Sequence, residues 1–295
     1  MQPLRKLVVI GVGLIGGSVA LALKRHGGVE RVVGVGRSRA NLDEALEAGI
    51  VDVAITLDEP WTSELRDADI VVIATPVAQI PALFAAMAGS LDARTIVTDA
   101  GSTKQDVVAA AREHLRDALP RFVPAHPIAG TENSGAGAAL PTLFEGRNVI
   151  LTSLAETSEV AIEAVHAMWQ ACGAQIVRLD PRTHDRIFAA VSHLPHLLSA
   201  AYVADLAVRS NAVELFAHAG TGFRDFTRIA AASPEMWRDI TLANRDALIV
   251  EIAAYRGALD VIEAAMQQAD GDSLKTLFES ASEARCAWGR SRNDE

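Results

Sequence analysis

Cysteines, aromatic residues and positive charge are scarce in this sequence. Its 295 residues include two cysteines, Cys172 and Cys286, and phenylalanine, tryptophan and tyrosine together account for 5%. The two cysteines lack metal-ligand or redox spacing, so we expect reduced thiols and no metal site. Few aromatic residues combined with much alanine favour close-packed helices over a β-sandwich.

The formal net charge is −10, which argues against nucleic acid or an anionic membrane surface as a main partner. A leader pattern is also missing, because residues 1–6 run directly into a short apolar strand. No stretch approaches the roughly 18 continuous apolar residues of a membrane helix. These absences predict a cytoplasmic protein without membrane contact.

The pattern of the sequence changes near residue 180. From residue 7 to 179, short β-branched runs alternate with helical segments, whereas only amphipathic helices are predicted afterwards. Apolar strands alternating with helices indicate a doubly wound, largely parallel α/β sheet. We predict an α/β domain over residues 1–179 and an all-α domain over residues 180–295. The apolar helical segment 242–266 must bury one face, so we expect a homodimer through the C-terminal domain.

A glycine-rich turn follows the first predicted strand and opens the first predicted helix. It reads GVGLIG over residues 11–16, and its predicted cofactor contacts are Gly11, Gly13, Leu14, Ile15 and Gly16. Gly11 allows a tight turn, Gly13 lets the backbone approach a pyrophosphate, and Gly16 permits close packing of helix on strand. Free N–H groups at the helix start then face the phosphates. This context predicts a Rossmann-like dinucleotide site; a glycine turn without a ligand is the alternative.

The residues after the second predicted strand bear on the choice between NAD and NADP. An NAD site places an acidic residue about 20 residues after the glycines, where it binds the ribose hydroxyls. This chain has Arg37, Ser38 and Arg39 there instead. Guanidinium groups pair with a 2′-phosphate, so we expect NADP to be preferred and NAD to be possible. The alternative is that both arginines are only solvated.

Two further loops are predicted to line the nicotinamide half of the cleft. Thr75 and Pro76 follow one predicted strand, and Ser102 and Thr103 follow the next. Ligands of open α/β sheets bind outside the carboxyl ends of the strands, which is where these loops lie. One of the two hydroxyls at 102 and 103 can cap the helix that starts near Lys104, which leaves the other for a ligand.

His126 is the candidate base. It follows a predicted strand and precedes Pro127 and Gly130, which places it on a stiff loop at the carboxyl edge of the sheet. A neutral imidazole can take a proton from a hydroxyl while hydride leaves the same carbon. A structural loop histidine is the alternative.

Six motifs in order resemble the prephenate/arogenate (cyclohexadienyl) dehydrogenases of tyrosine biosynthesis. They are GVGLIG (11–16), DAGSTK (99–104), HPIAGTE (126–132), VSHLPH (191–196), GFRDFTR (222–228) and MWRD (236–239). The resemblance implies oxidation of a cyclohexadienol that carries a ring and a side-chain carboxylate. Hydride passes to the nicotinamide, CO2 leaves and the ring becomes aromatic. It also implies that His126 assists deprotonation of the ring hydroxyl and that Ser102 orients both groups.

The same resemblance implies the substrate contacts. Arg228 matches the arginine that binds a substrate carboxylate, and bidentate recognition suits that task. His196, with His193 nearby, matches histidines that face the substrate from the helical domain. Thr131 and Glu132 fall in the loop beside it.

Other interpretations of these motifs stay open from the sequence. His193 and His196 resemble a metal pair, but Pro195 interrupts the helical spacing and no third ligand is evident. The alternative for Arg228 is that it only pairs with Asp225 across one helical turn. A β-hydroxyacid-type dehydrogenase is the first rival, disfavoured because Lys275 is the only lysine after residue 180. A dinucleotide-sensing protein without turnover is the second. No residue decides between prephenate and arogenate.

Overall fold

The computed structural model describes residues 2–131 and 133–293. Its strands are β1 (Leu7–Ile10), β2 (Val32–Gly36), β3 (Val53–Thr56), β4 (Ile70–Ile73), β5 (Ile96–Asp99), β6 (Phe122–Val123), β7 (Ala125–Pro127), β8 (Asn148–Leu151) and β9 (Gln175–Arg178). The helices up to residue 171 are α1 (Leu14–Arg25), α2 (Arg39–Glu47), α3 (Ile80–Met87), α4 (Gln105–His114) and α5 (Glu159–Ala171). The later helices are α6 (Pro181–Phe188), α7 (Leu194–Ala207), α8 (Ala212–Ala217), α9 (Thr221–Thr227), α10 (Pro234–Ala243), α11 (Arg245–Gln267) and α12 (Gly271–Asn293).

The first six strands form one parallel sheet in the order β3-β2-β1-β4-β5-β6. Side chains of β1 alternate between two apolar clusters: Leu7 and Val9 join one, and Val8 and Ile10 join the other. All four are completely buried. Both faces of the sheet are therefore covered, as a parallel sheet requires. The predicted doubly wound α/β fold is confirmed.

Strands β7, β8 and β9 form a second, three-stranded sheet, which the sequence pattern did not separate from the first. β7 pairs with β8 in antiparallel and β8 pairs with β9 in parallel. Pro124 stands between β6 and β7 and has no N–H to continue the ladder, so the chain changes sheets there. His126 therefore lies just beyond the junction of the two sheets.

Everything described after residue 180 is helix, turn or loop, which confirms the predicted all-α C-terminal part. Asp180 caps α6 by accepting a hydrogen bond from the N–H of Thr183, and Pro181 occupies the first turn. A π-helical turn, Ala189–His193, joins α6 to α7. Such turns inside helices are frequent at functional sites.

In the sequence, residues 234–266 are predicted as one amphipathic helical segment, but the structure divides them into two helices. Helix α10 ends at Ala243, Asn244 is its C-cap, and α11 begins at Arg245. The side chain of Asn244 is buried and donates hydrogen bonds to the carbonyl of Asp185 and to Nδ1 of His193. Apolar periodicity alone does not register such a polar anchor.

Two compact units make up the chain, Met1–Arg245 and Asp246–Glu295. The second contains most of α11 and all of α12. Several of its large apolar side chains are exposed in a single copy, namely Ile249, Val250, Leu259, Val261, Met266, Phe278 and Trp288. The expected domain boundary at 179/180 stays a prediction.

One helical stretch among the described residues, Pro181–Ala207, is long and apolar enough to cross a membrane by length and composition. This stretch is not predicted from the sequence, because polar residues interrupt it and no run of about 18 apolar residues is continuous. Within it, the buried side chains of His184, Asp185 and His193 make hydrogen bonds to other residues of the protein. The absence of membrane contact stays a prediction.

Candidate active site

The glycine turn after β1 has the geometry of a phosphate cradle. Gly11 has a φ of +97°, and a Cβ there would lie 2.6 Å from the carbonyl oxygen of Ala74. A Cβ on Gly16 would lie 2.2 Å from the carbonyl oxygen of Gly11. Both positions therefore require glycine. A Cβ on Gly13 would meet nothing within 4 Å, so the space above it is open to a ligand.

The start of α1 supplies donors to that open space. Gly13 is its N-cap and no side chain caps it, so the N–H groups of Leu14 and Ile15 face outward from the first turn. After β4, Thr75 has a buried hydroxyl with no hydrogen-bond partner in the structure, and Pro76 follows it. A buried unpaired hydroxyl calls for a ligand or water. These residues fit a bound dinucleotide.

The predicted adenosine end is polar and exposed. Arg37 lies 3.7 Å from a carboxylate oxygen of Glu235. Arg39 donates to Asp43 at 2.9 Å. The hydroxyl of Ser38 accepts from the N–H of Asn41 and so caps α2. Both guanidinium groups keep more than half of their side-chain surface in water, and their ion pairs are weak enough to exchange for a phosphate.

A line of three side chains leads to His126. Nδ1 of His126 lies 2.8 Å from Nε2 of His184, and Nδ1 of His184 lies 2.8 Å from Oδ1 of Asp185. The Asp185 carboxylate also accepts hydrogen bonds from the backbone N–H groups of Lys104 and Gln105, each at 2.8 Å. The start of α4 thus holds Asp185 in place.

These contacts fix the proton positions of both histidines. Ionised Asp185 only accepts, so Nδ1 of His184 carries the hydrogen and Nε2 of His184 is left as an acceptor. Nδ1 of His126 must then donate to that nitrogen. The remaining nitrogen of His126, Nε2, carries a lone pair and can accept a proton.

The pKa shifts of His126, His184 and Asp185 favour the same protonation states. Burial lowers the pKa of His126 well below 6.5, and the neighbouring His184, Lys104 and His193 lower it further. Burial likewise lowers the pKa of His184, against the opposing effect of Asp185. Burial alone would raise the pKa of Asp185, but hydrogen bonds from His184 and from the backbone outweigh it and lower that pKa. His126 is therefore neutral at pH 7 and Asp185 is ionised.

A buried ion pair supports the strand that carries His126. Lys104 and Asp99 are fully buried and hydrogen-bonded to each other, and Lys104 also donates to the carbonyl of Ala125 at 2.8 Å. The other oxygen of Asp99 accepts from the N–H of Ala125 at 3.1 Å. The pair ties β5 to β7 and leaves no charge without a partner.

His196 and His193 lie on the helical side of the same array. His196 stacks on Trp237 with ring centroids 3.7 Å apart. Nδ1 of His196 and the indole N–H of Trp237 are both buried and have no hydrogen-bond partner in the structure. Burial lowers the pKa of His193 to about 4, and Nδ1 of His193 accepts from Asn244.

The other predicted residues lie in loops. Ser102 is half-buried after β5, and Thr131 accepts from the N–H of Asn133 at 3.3 Å. Arg228 begins a 3-10 turn after α9, and its charge adds to the effect of burial in lowering the pKa of His196. Glu132 lies outside the described residues.

The sequence reasoning missed four members of the site. It passed over His184, Asp185 and Asn244, and it included Trp237 only as part of the MWRD motif, where packing was favoured over chemistry. His184 and Asp185 follow a strong helix start at Asp180-Pro181, so a His-Asp pair in the first turns of a helix was the available signal. Nothing local marks Asn244.

Two models of one protein family match successive parts of the chain. A family model described as "Prephenate dehydrogenase, nucleotide-binding domain" matches residues 19–178. One described as "Prephenate dehydrogenase, dimerization domain" matches residues 180–280. The chain belongs to the prephenate dehydrogenase family.

Individual relatives agree. The prephenate dehydrogenase of Bacillus subtilis is 35% identical over 95% of this chain and 75% of its own length. The cyclohexadienyl dehydrogenase of Zymomonas mobilis is 32% identical over 97% of both. The structure of Aquifex aeolicus prephenate dehydrogenase with hydroxyphenyl propionate and NAD+ is 32% identical, with a TM-score of 0.86 over 95% of this chain and 96% of that one.

The resemblance drawn from the six motifs is thereby confirmed. At the level of the family, so is the expected NAD(P)-dependent oxidation with decarboxylation of prephenate or arogenate.

Proposed function

We propose that this enzyme oxidatively decarboxylates prephenate, arogenate or both, giving 4-hydroxyphenylpyruvate or tyrosine, with His126 as its base. The observation that carries the proposal is the line Asp185–His184–His126, which leaves an unprotonated ring nitrogen on His126. When bound, the nicotinamide accepts the hydride from the carbinol carbon.

His126 takes the proton of the ring hydroxyl at Nε2. As that proton arrives, positive charge develops on the imidazole. His184 connects His126 to Asp185 by hydrogen bonds, so the negative charge of Asp185 stabilises the positive charge on His126. Two backbone N–H groups hold Asp185 in place. Groups oriented in advance stabilise such charge without reorganising. Ser102, at the end of the neighbouring strand, orients the hydroxyl.

The polar ends of the substrate meet the helical side of the site. Arg228 binds one carboxylate. The unpaired nitrogens of His196 and Trp237 offer further hydrogen bonds, since buried polar atoms without partners are costly. His193 precedes His196 by three residues in the chain, and Thr131 and Glu132 are assigned to the substrate as well, Glu132 lying outside the described residues.

NADP is the preferred cofactor in this proposal, and NAD is also used. Arg37 and Arg39 are exposed and are paired only with exposed carboxylates. A 2′-phosphate carries more charge than a carboxylate and fits a guanidinium fork, so it displaces those partners. Ser38 caps α2 and so fixes the start of the helix that carries Arg39.

The enzyme assembles as a homodimer through its C-terminal helical domain, residues 180–295, and works in the cytoplasm. The match to a dimerization domain and the exposed apolar side chains of α11 and α12 support the dimer. The first domain, residues 1–179, binds the cofactor.

Initial rates with the purified protein test this function. Prephenate and arogenate are each supplied with NADP and with NAD, and reduced cofactor is followed by absorbance. We expect turnover with at least one substrate and faster turnover with NADP. Cofactor binding without turnover in all four combinations would contradict the activity and support a sensor or another dehydrogenase.

A further inference from the structure

A short stretch of the loop between β7 and β8 lies against the cofactor-binding helices. We call residues 135–140 the crossing segment. Ala136 in its middle is buried in the apolar cluster that also contains Val12 and Leu42. The segment continues directly from the loop that contains Thr131. The segment therefore touches the cofactor-binding helices and is joined by the chain to Thr131.

Asn41 of α2 joins the crossing segment to the glycine turn. Its side-chain nitrogen donates to the carbonyl oxygen of Val12 at 2.7 Å. Its side-chain oxygen accepts from the N–H of Ala136 at 2.8 Å. Only one orientation of the amide satisfies a carbonyl and an N–H at once, so both contacts fix it. Val12 lies between Gly11 and Gly13, at the centre of the phosphate cradle.

Other contacts hold the segment against the same helices. The N–H of Leu140 donates to the buried hydroxyl of Ser18 in α1 at 2.9 Å. A Cβ on Gly137 would lie 2.4 Å from a carboxylate oxygen of Glu44, so glycine permits the close approach to α2. Asn41 holds the segment against the glycine turn, and Ser18 holds the same segment against α1, so both residues fix its position.

We propose that Asn41 is a positioning residue that couples cofactor binding to substrate binding. A dinucleotide on the cradle fixes the backbone on both sides of Val12. Asn41 holds Ala136 against the same turn, and Ala136 follows Thr131 by five residues in the chain. Substrate then meets Thr131 with its position already restricted by the bound cofactor, and binds more tightly to the cofactor complex than to the free protein. The inference rests on the proposed function, because it places the substrate against that loop.

Two binding constants on the full-length protein test this. Hydroxyphenyl propionate serves as the substrate-side probe, and its Kd is measured by calorimetry without cofactor and with saturating NADP. Coupling between sites commonly changes affinity roughly 5–150-fold, and we expect a ratio in that range for the unchanged protein. In Asn41→Ala the ratio should fall to within about twofold of one, while the Kd without cofactor stays the same.

Glu47→Ala is the matched control, because Glu47 is exposed on the same helix; it should keep the full ratio. Ser18→Ala provides a second variant should Asn41→Ala fail to fold, and we expect it to reduce the ratio. An unchanged ratio in Asn41→Ala, or in Ser18→Ala if that variant must replace it, would overturn the proposal. So would a ratio near one in the unchanged protein when both ligands bind. Failure of the unchanged protein to bind the probe at all would instead contradict the proposed function.

Discussion

Replacing Asp185 with asparagine tests the role of the histidine line without touching substrate or cofactor. Oδ1 of Asp185 accepts from His184 and from the N–H of Lys104, and Oδ2 accepts from the N–H of Gln105. Asparagine keeps one acceptor oxygen and puts an NH2 group in place of the other. The new NH2 group must therefore face either the N–H of Gln105, or both His184 and the N–H of Lys104.

The two orientations of the new amide give different magnitudes. With NH2 toward Gln105, the proton positions survive but the negative charge is lost. A hydrogen bond to a charged group contributes about 1.5–3 kcal/mol, which corresponds to roughly 10–100-fold in rate. With NH2 toward His184, the hydrogen of His184 moves to Nε2, and His126 must then carry its own hydrogen on the substrate side. A wrong tautomer of this kind costs about 10⁴-fold in a serine-protease triad.

We therefore expect kcat of Asp185→Asn to fall by about 10–10⁴-fold, depending on which orientation the amide takes. The cofactor Kd should stay within a factor of about three, because no cofactor contact changes. Steady-state rates and a fluorescence titration of the cofactor give both values, and circular dichroism checks the fold. A folded variant with kcat close to that of the unchanged enzyme would refute this role of Asp185.

Three further perturbations have expected outcomes. Changing Arg37 and Arg39 together to alanine should weaken NADP binding about tenfold or more and leave NAD within about twofold; equal losses for both cofactors would show that the side chains do not read the 2′-phosphate. Because the pKa of His126 lies well below 6.5, kcat/KM should stay level from pH 8 to 6.5 and fall only below that; an inflection above 7 would contradict a neutral, buried base. The pKa of His193 drops from 6.5 to about 4 on folding. The unfolded state thus binds a proton that the folded state excludes. The free energy of unfolding is therefore unaffected by His193 above pH 6.5. It decreases by about 3 kcal/mol as the pH falls from 6.5 toward 4. Urea unfolding of His193→Gln should show a correspondingly weaker pH dependence than the unchanged protein, and an identical dependence would exclude His193 as its source.

The elements that the sequence predicts well are those set by local physics. Gly11 and Gly16 have steric requirements that only glycine meets, and the turn around them follows from the strand before it and the helix after it. The change from strand–helix alternation to helices alone at Pro181 is equally local. Such features leave a mark within a few residues of themselves.

The missing parts of the site depend on contacts between distant residues. His126 and His184 are 58 positions apart, and Lys104 and Asp185 are 81 apart. Asn244 looks like an ordinary polar residue in an amphipathic helix until His193 and Asp185 are brought against it. The division of the strands into two sheets at Pro124 likewise needs β8 as a partner for β7. Periodicity within one segment contains no information about these pairings.

Replacing His126 with asparagine tests the central claim most directly. Asparagine still fills the space beside His184 but cannot take a proton from the substrate. General acid–base catalysis contributes about 10²–10⁴-fold, so the rate of reduced-cofactor formation should fall by that factor with prephenate or arogenate. Cofactor affinity should be unchanged. If His126→Asn turns over at nearly the rate of the unchanged enzyme, His126 is not the base and the account is wrong.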